Sequence, residues 1–159
     1  MPPRRRAATL LLTLAGAASL VAGCGELGTE SIVVSGSYQL AKVNNFDVPT
    51  TAFSITGNSL EISGGTLRFD PDSARGQEAR RYRCSTCDPV VDDATPRTFT
   101  QGYRMIAGNA VVLSQRLADG TVISDTAVVT PDQLIFHARW LGSSVGDTPI
   151  RASVMYVKQ

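Results

Sequence analysis

The chain has 159 residues, 43% of them hydrophobic and 18% charged, with a formal net charge of +1. That length suits one domain with a core large enough to stand alone. The near-neutral balance gives no basic face, which argues against nucleic acid or an anionic surface as the partner.

The first element is a leader. Arg4, Arg5 and Arg6 run into an apolar stretch from Ala7 to Leu20, and Val21-Ala22-Gly23-Cys24 follows. A charged segment, an apolar core and small residues before a cut make a secretory signal. A membrane-spanning helix needs about 20 apolar residues. Gly16, Ser19 and Gly23 dilute this run, so an uncleaved anchor fits it less well. Arg5-Arg6 lacks the surroundings of a twin-arginine signal, so ordinary secretion is expected. The cysteine at the cut resembles the lipobox of bacterial lipoproteins. That resemblance implies a diacylglycerol on the Cys24 thiol, cleavage before it, and acylation of the new amino terminus. It implies residence in the cell envelope. Gly25, where an aspartate would mark retention at the inner membrane, implies the periplasmic face of the outer membrane if the cell is Gram-negative. Each buried methylene contributes ~0.8 kcal/mol, so two or three chains anchor firmly where one holds only marginally.

The expected division is a signal peptide over residues 1–23, a lipidated tether over 24–35 and one domain over 36–159. Three of the 15 basic residues and none of the 14 acidic ones precede Cys24, leaving 12 against 14 afterwards, a net of −2. Of the three cysteines, Cys24 goes to lipid, and Cys84 and Cys87 remain as a pair in an oxidising compartment. A disulfide across Cys84-Ser85-Thr86-Cys87 is expected. Its loop is short, so its entropic contribution is about 2 kcal/mol at most, enough to stiffen a loop.

From Gly36 onward the pattern is short strands and turns, and no window of about 11 residues keeps a helical period. Leu60 and Ile62 share one face of residues 59–63, and Leu67 and Phe69 share one face of residues 66–70. Leu134, Phe136, Ala138 and Trp140 alternate with Ile135, His137 and Arg139; Val154 and Tyr156 oppose Met155 and Val157. β-Branched and aromatic residues favour such half-buried pleated surfaces. Gly57-Asn58, Gly64-Gly65, Gly108-Asn109, Asp119-Gly120 and Pro131-Asp132 read as turns between runs. From Phe99 onward the sequence reads as a meander of about five strands. Residues 71–96 are polar and charged, and they read as a long irregular insertion.

About eight to ten strands in one domain must dispose of their edges, and closure into a barrel does so most completely. The first strand carries a further resemblance. Gly36, Tyr38, Leu40, Val43, Asn44 and Pro49 match the Gly-x-Tyr-x-Leu-x-x-Val-Asn-Gly-x-x-x-Pro pattern of small bacterial lipocalin-like lipoproteins. Asn45 replaces the expected glycine, and asparagine tolerates the left-handed conformation. Lipocalins proper have Gly-x-Trp here, from which Tyr38 departs. The resemblance implies an all-β, antiparallel up-and-down barrel with a ligand cavity. It implies too that residues 153–158 form the closing strand, paired with the first.

No chemistry stands out. The Cys-Ser-Thr-Cys stretch lacks the following helix that lowers a redox cysteine's pKa, and two thiols with one imidazole do not make a structural zinc site. His137, the only histidine, has no partner constellation in the sequence, and neither a Gly-x-Ser-x-Gly elbow nor a His-Glu-x-x-His motif occurs. Asp70-Pro71-Asp72 opens like a calcium loop, but Ala74 falls at position five and Arg81 at position twelve. Asp92-Asp93 reads as a solvated loop tip. Arg75, Arg80, Arg81 and Arg83 form a basic cluster that could meet lipid headgroups or lipopolysaccharide phosphates, but Asp72, Glu78 and Asp88 can neutralise it, and a solvated loop is the expected reading. Phe53, Phe69, Tyr103, Phe136 and Trp140 are the aromatic residues that would line a ligand cavity, if they are not simply core.

The expected function is therefore non-enzymatic, without cofactor or metal: a lipid-anchored, monomeric envelope lipoprotein that binds an apolar small molecule in a barrel cavity. The alternative is a filled barrel that contacts another envelope protein through residues 71–96 or a strand edge.

Overall fold

The computed structural model describes residues 33–106, 108–145 and 148–159. The leader, Cys24 and the tether up to residue 32 lie outside the described residues. No helix occurs among those described. The strands are β1 (Gly36–Val43), β2 (Phe46–Asp47), β3 (Thr50–Ile55), β4 (Asn58–Phe69), β5 (Ala74–Cys84) and β6 (Val91–Asp93). They continue with β7 (Arg97–Ile106), β8 (Ala110–Arg116), β9 (Val122–Val129), β10 (Gln133–Val145) and β11 (Thr148–Lys158).

All pairings are antiparallel, and the order β1-β11-β10-β9-β8-β7-β5-β4 returns to β1 through Gly36↔Phe69 and Gln39↔Thr66. Eight strands thus close an up-and-down barrel of the lipocalin-like kind expected above. The last strand pairs with the first, Tyr38 opposite Lys158 and Val43 opposite Val154. The three remaining strands fill two forks. β1 leaves β4 beyond Gln39, and there β2 pairs β1 while β3 pairs β4. β5 leaves β7 beyond Glu78, and β6 pairs its far end.

The chain turns from β1 into β2 through Asn44 (φ 50°) and Asn45 (φ 68°), both left-handed, as a two-residue hairpin requires. Asn44 then ties the fork together. Its backbone N–H donates to the Ser153 carbonyl at 2.8 Å, its Nδ2 donates to the Ala52 carbonyl at 2.8 Å, and its Oδ1 accepts from the Ser153 N–H at 3.2 Å.

Inward positions alternate along the strands except where a bulge shifts the register, as in β1, β4 and β10. Tyr38, Leu40, Leu60, Ile62, Leu67, Phe69, Val111, Leu113, Leu134, Phe136, Val154 and Tyr156 are buried in one continuous core. Rings meet edge to face at one level of the barrel: Tyr38 with Phe69 at 5.8 Å and Phe69 with Tyr103 at 5.0 Å.

Three expectations need correction. Residues 71–96 are not an irregular insertion: β5, a wall of the barrel, runs through them and β6 follows. Gly64-Gly65 is not a turn but the interior of β4, at a bulge where the β5 register slips between Ile62 and Gly64. The alternation along β10 does not hold past Phe136. A register shift against β11 falls between Phe136 and Arg139, His137 and Ala138 are both exposed, and Arg139 and Leu141 turn inward.

Candidate functional site

The inward row of β5 is Ala74, Gly76, Glu78, Arg80, Tyr82 and Cys84, by alternation. Glu78 is 1% exposed, so its carboxylate needs partners inside the barrel. Arg97 of β7 supplies one, with Nη1 donating to Oε2 at 3.2 Å. Arg139 of β10 lies 3.5 Å from Oε1, and the Tyr156 hydroxyl of β11 donates to Oε1 at 3.3 Å.

The topology gives these contacts their meaning. β5 and β10 stand four strands apart in the ring of eight, diametrically opposite. The Glu78–Arg139 pair and the 3.0 Å bond from Arg80 Nη1 to the Leu141 carbonyl therefore cross the whole lumen. Arg97 reaches across as well, donating to the Trp140 carbonyl at 3.3 Å. The barrel is bridged by charge at this level.

Aromatic faces wrap the cations, a geometry that a ring quadrupole favours. The Arg139 guanidinium lies 4.7 Å from the Phe99 ring centre, 4.9 Å from Phe136 and 5.2 Å from Tyr156. Arg97 lies 4.9 Å from Phe99 and 4.8 Å from Trp140. Two glycines make room. The Phe99 ring lies where a side chain at Gly76 would stand, and the Arg97 side chain crosses Gly142, whose φ is +72°. Burial pushes the Tyr156 phenol well above its ordinary range, with Arg139 opposing and Glu78 reinforcing the shift. Burial lowers the Arg97 pKa, and the Glu78 charge opposes that shift.

A second buried acid explains the bulge in β10. Asp125, inward on β9, accepts the backbone N–H of Trp140 at 3.2 Å and the Arg151 guanidinium at 2.7 Å. Arg151 also donates to the Ala138 carbonyl at 2.7 Å. The carboxylate replaces the strand partner that Trp140 loses where the β9–β10 ladder stops at Phe136↔Ala127.

The basic cluster expected on 75–83 is largely paired. Arg75 meets Asp70 at 3.2 Å, and Arg81 forms a two-pronged pair with Asp92 at 2.7 and 2.6 Å. Arg83 reaches Glu61 at 3.9 Å, and Arg80 turns into the lumen. The hydrogen bond from Arg81 holds the Asp92 carboxyl below its usual range, and Asp93 accepts the Thr95 N–H at 2.8 Å. Among the described residues, no group of three or more His, Cys, Asp or Glu is arranged to hold a metal.

Cys84 and Cys87 are joined by a disulfide, Cα–Cα 5.5 Å. The loop it closes meets the β3–β4 turn, where the Ser85 N–H donates to the Gly57 carbonyl at 2.7 Å and Thr86 packs on Gly57. Beside it lies an open depression of about 450 Å³, floored by residues 54–59 with Arg83 and Ser85. Two further open depressions, about 310 and 320 Å³, flank β4 and β5 and share Ala79.

The five aromatic residues expected around a cavity are distributed differently from one another. Phe69 and Phe136 are core, Phe53 and Tyr103 pack half-buried against it, and Trp140 is half-buried beside Arg97. None of the five lines the three depressions. Phe136 and Trp140 meet the ionic cluster; the other three do not. No family model matches the chain, and no curated protein or solved structure matches it either.

Sequence reasoning missed Glu78, Arg97, Arg139 and Asp125 as lumen residues. One signal existed: Arg97 and Phe99 share strand parity with Gln101 and Tyr103, an inward row with a charge at its end.

Proposed function

We propose that this protein is a lipid-anchored, non-enzymatic envelope lipoprotein whose barrel, bridged by charge, serves as an interaction module for another envelope protein. The observation that carries the reading is the ionic bridge across the lumen, Glu78 on β5 to Arg139 on the opposite wall. An apolar ligand would have to lie where these charges lie, and displacing paired charges into an apolar contact is costly. The anchoring half of the proposal rests on Cys24 and the leader before it.

The contact surface follows from the topology of the barrel. In an up-and-down barrel successive connections alternate between its two ends. The connections after β1, β5, β8 and β10 share the end opposite the start of β1. Phe46, Ile55, Val90 and Val122 are large exposed apolar residues on those connections or at their strand ends. Residues 85–96, which are mostly exposed, belong to that end, and the disulfide closes the Cys84–Cys87 loop within it. Isolated apolar residues are ordinary on a surface; four at this end, against Val33 and Met105 toward the other, make it the better docking end.

A photo-crosslinker placed at Val90, in cells, should trap one protein partner. The same group at Met105, near the opposite end of the barrel, should not. Equal trapping at both positions, or a stoichiometric apolar molecule in native mass spectra of the purified protein, overturns the reading.

A further inference from the structure

The lumen holds two buried guanidiniums around one carboxylate: Arg97 and Arg139 share Glu78. Guanidinium keeps its proton at any working pH, so the cluster carries net positive charge out of contact with solvent. Burial is the main reason the Arg97 pKa is lowered; the Glu78 charge opposes that shift, and the charges of Arg139 and Arg80 add to it. Asp125, the other buried acid, is taken by Arg151.

Arg139 is the least satisfied member. It is 1% exposed, yet neither Nη1 nor Nη2 has a hydrogen-bond acceptor among the protein atoms, and its ion pair to Glu78 is long at 3.5 Å. Rings cover the faces of the guanidinium, so its N–H edge is the part left to bind. A buried cation with unpaired donors costs several kcal/mol. Water would satisfy the donors and leave the charge uncompensated. An anion satisfies both.

We propose that the lumen is an anion site, with a small monovalent anion (a halide, or the carboxylate of a small ligand) held on the N–H edge of Arg139. The approach is graded. Arg80 is half-buried, the Arg97 side chain is 9% exposed, and Arg139 lies deepest. Glu78 offsets only one of Arg97 and Arg139, and the remaining positive charge attracts anions. The inference does not depend on which outer surface meets a partner.

The test uses the purified full chain. Chloride, bromide or acetate is titrated at constant ionic strength, with gluconate, a bulkier anion, as the balancing anion. The expected result is a saturable rise in Tm of about 2–5 °C, lost in Arg139→Met. A response to halide alone identifies an inorganic ion, and a response to acetate as well identifies a carboxylate ligand. Glu78→Gln removes the competing negative charge and should tighten anion binding about tenfold. A role confined to packing predicts no anion dependence in any variant. Crystals of the wild-type protein grown in bromide should show an anomalous peak beside Arg139, a readout that needs no variant to fold. A Tm independent of the anion, an equal response in Arg139→Met, or no peak beside Arg139 overturns the proposal.

Discussion

At the residue scale the lumen is governed by what burial does to polar groups. Tyr156 is fully buried with its hydroxyl on Glu78, and desolvation holds its phenol protonated far beyond the ordinary value near 10. Tyr38 is raised too, again by burial first, with a hydrogen bond involving the Ser35 backbone opposing it. The consequence for stability has a definite sign. Above about pH 10 the unfolded chain loses its phenolic protons while the folded chain keeps them, so stability falls as pH rises. The contribution is fully present below the unfolded pKa and disappears as pH climbs through the folded one. Tyr156→Phe loses the hydrogen bond to Glu78, about 1–2 kcal/mol at pH 8, but has nothing to ionise at that position. Urea midpoints measured from pH 8 to 11 should therefore show wild type losing stability faster than Tyr156→Phe, with Tyr38 leaving the variant some slope. Parallel curves would show that the Tyr156 phenol ionises alike in both states. The Asn44–Asn45 turn shows how a single residue was readable: asparagine in place of the glycine of the resembled pattern kept the left-handed turn because its short side chain tolerates positive φ.

At the element scale, legibility tracked the inward row of each strand. β1, β4 and β11 present Tyr38, Leu40, Leu60, Ile62, Leu67, Phe69, Val154 and Tyr156 inward, and their alternation is plain in the sequence. β5 is not, because its inward row contains a glycine, a carboxylate and a guanidinium, which look like a solvated loop when read for hydrophobicity alone. Only the opposite wall explains them, through Arg139 and Leu141, and no local window contains that wall. β10 was legible up to Phe136 and misread beyond it, because a bulge reverses the parity of the residues just past it, turning Arg139 and Leu141 inward. The cause of the bulge lies on a different strand, in the Asp125 carboxylate that takes the Trp140 N–H. Asp125→Ala should therefore act on β10 more than on β9. It leaves a backbone donor unpaired and is expected to cost about 2–3 kcal/mol, with Asp125→Asn milder because one acceptor remains. Amide hydrogen exchange supplies the local readout: the Trp140 amide should exchange much faster in Asp125→Ala while amides of β1 and β4 keep their protection. Uniform loss of protection would assign Asp125 to global stability instead of the bulge.

At the scale of the whole molecule, folding and anchoring are expected to be separable. The described residues from 33 onward hold a closed barrel with a continuous core and charges that bridge its diameter, and this core is expected to fold without the leader. The proposed anchor, by contrast, is one sulfur. Two or three acyl chains at Cys24 would hold the protein on a bilayer through buried methylenes at ~0.8 kcal/mol each, with no contribution required from the barrel surface. Cys24→Ser with the leader cleaved should then move from the membrane fraction to the soluble fraction with an unchanged unfolding midpoint. Two departures are informative in different ways. A lowered midpoint would mean that the tether contributes to the fold. Continued partitioning with lipid at an unchanged midpoint would mean that the exposed apolar residues of the barrel, Phe46 and Val90 among them, bind the membrane themselves. That second outcome would also turn the end of the barrel assigned here to a protein partner into a lipid-facing surface, because one apolar end cannot be covered by both at once.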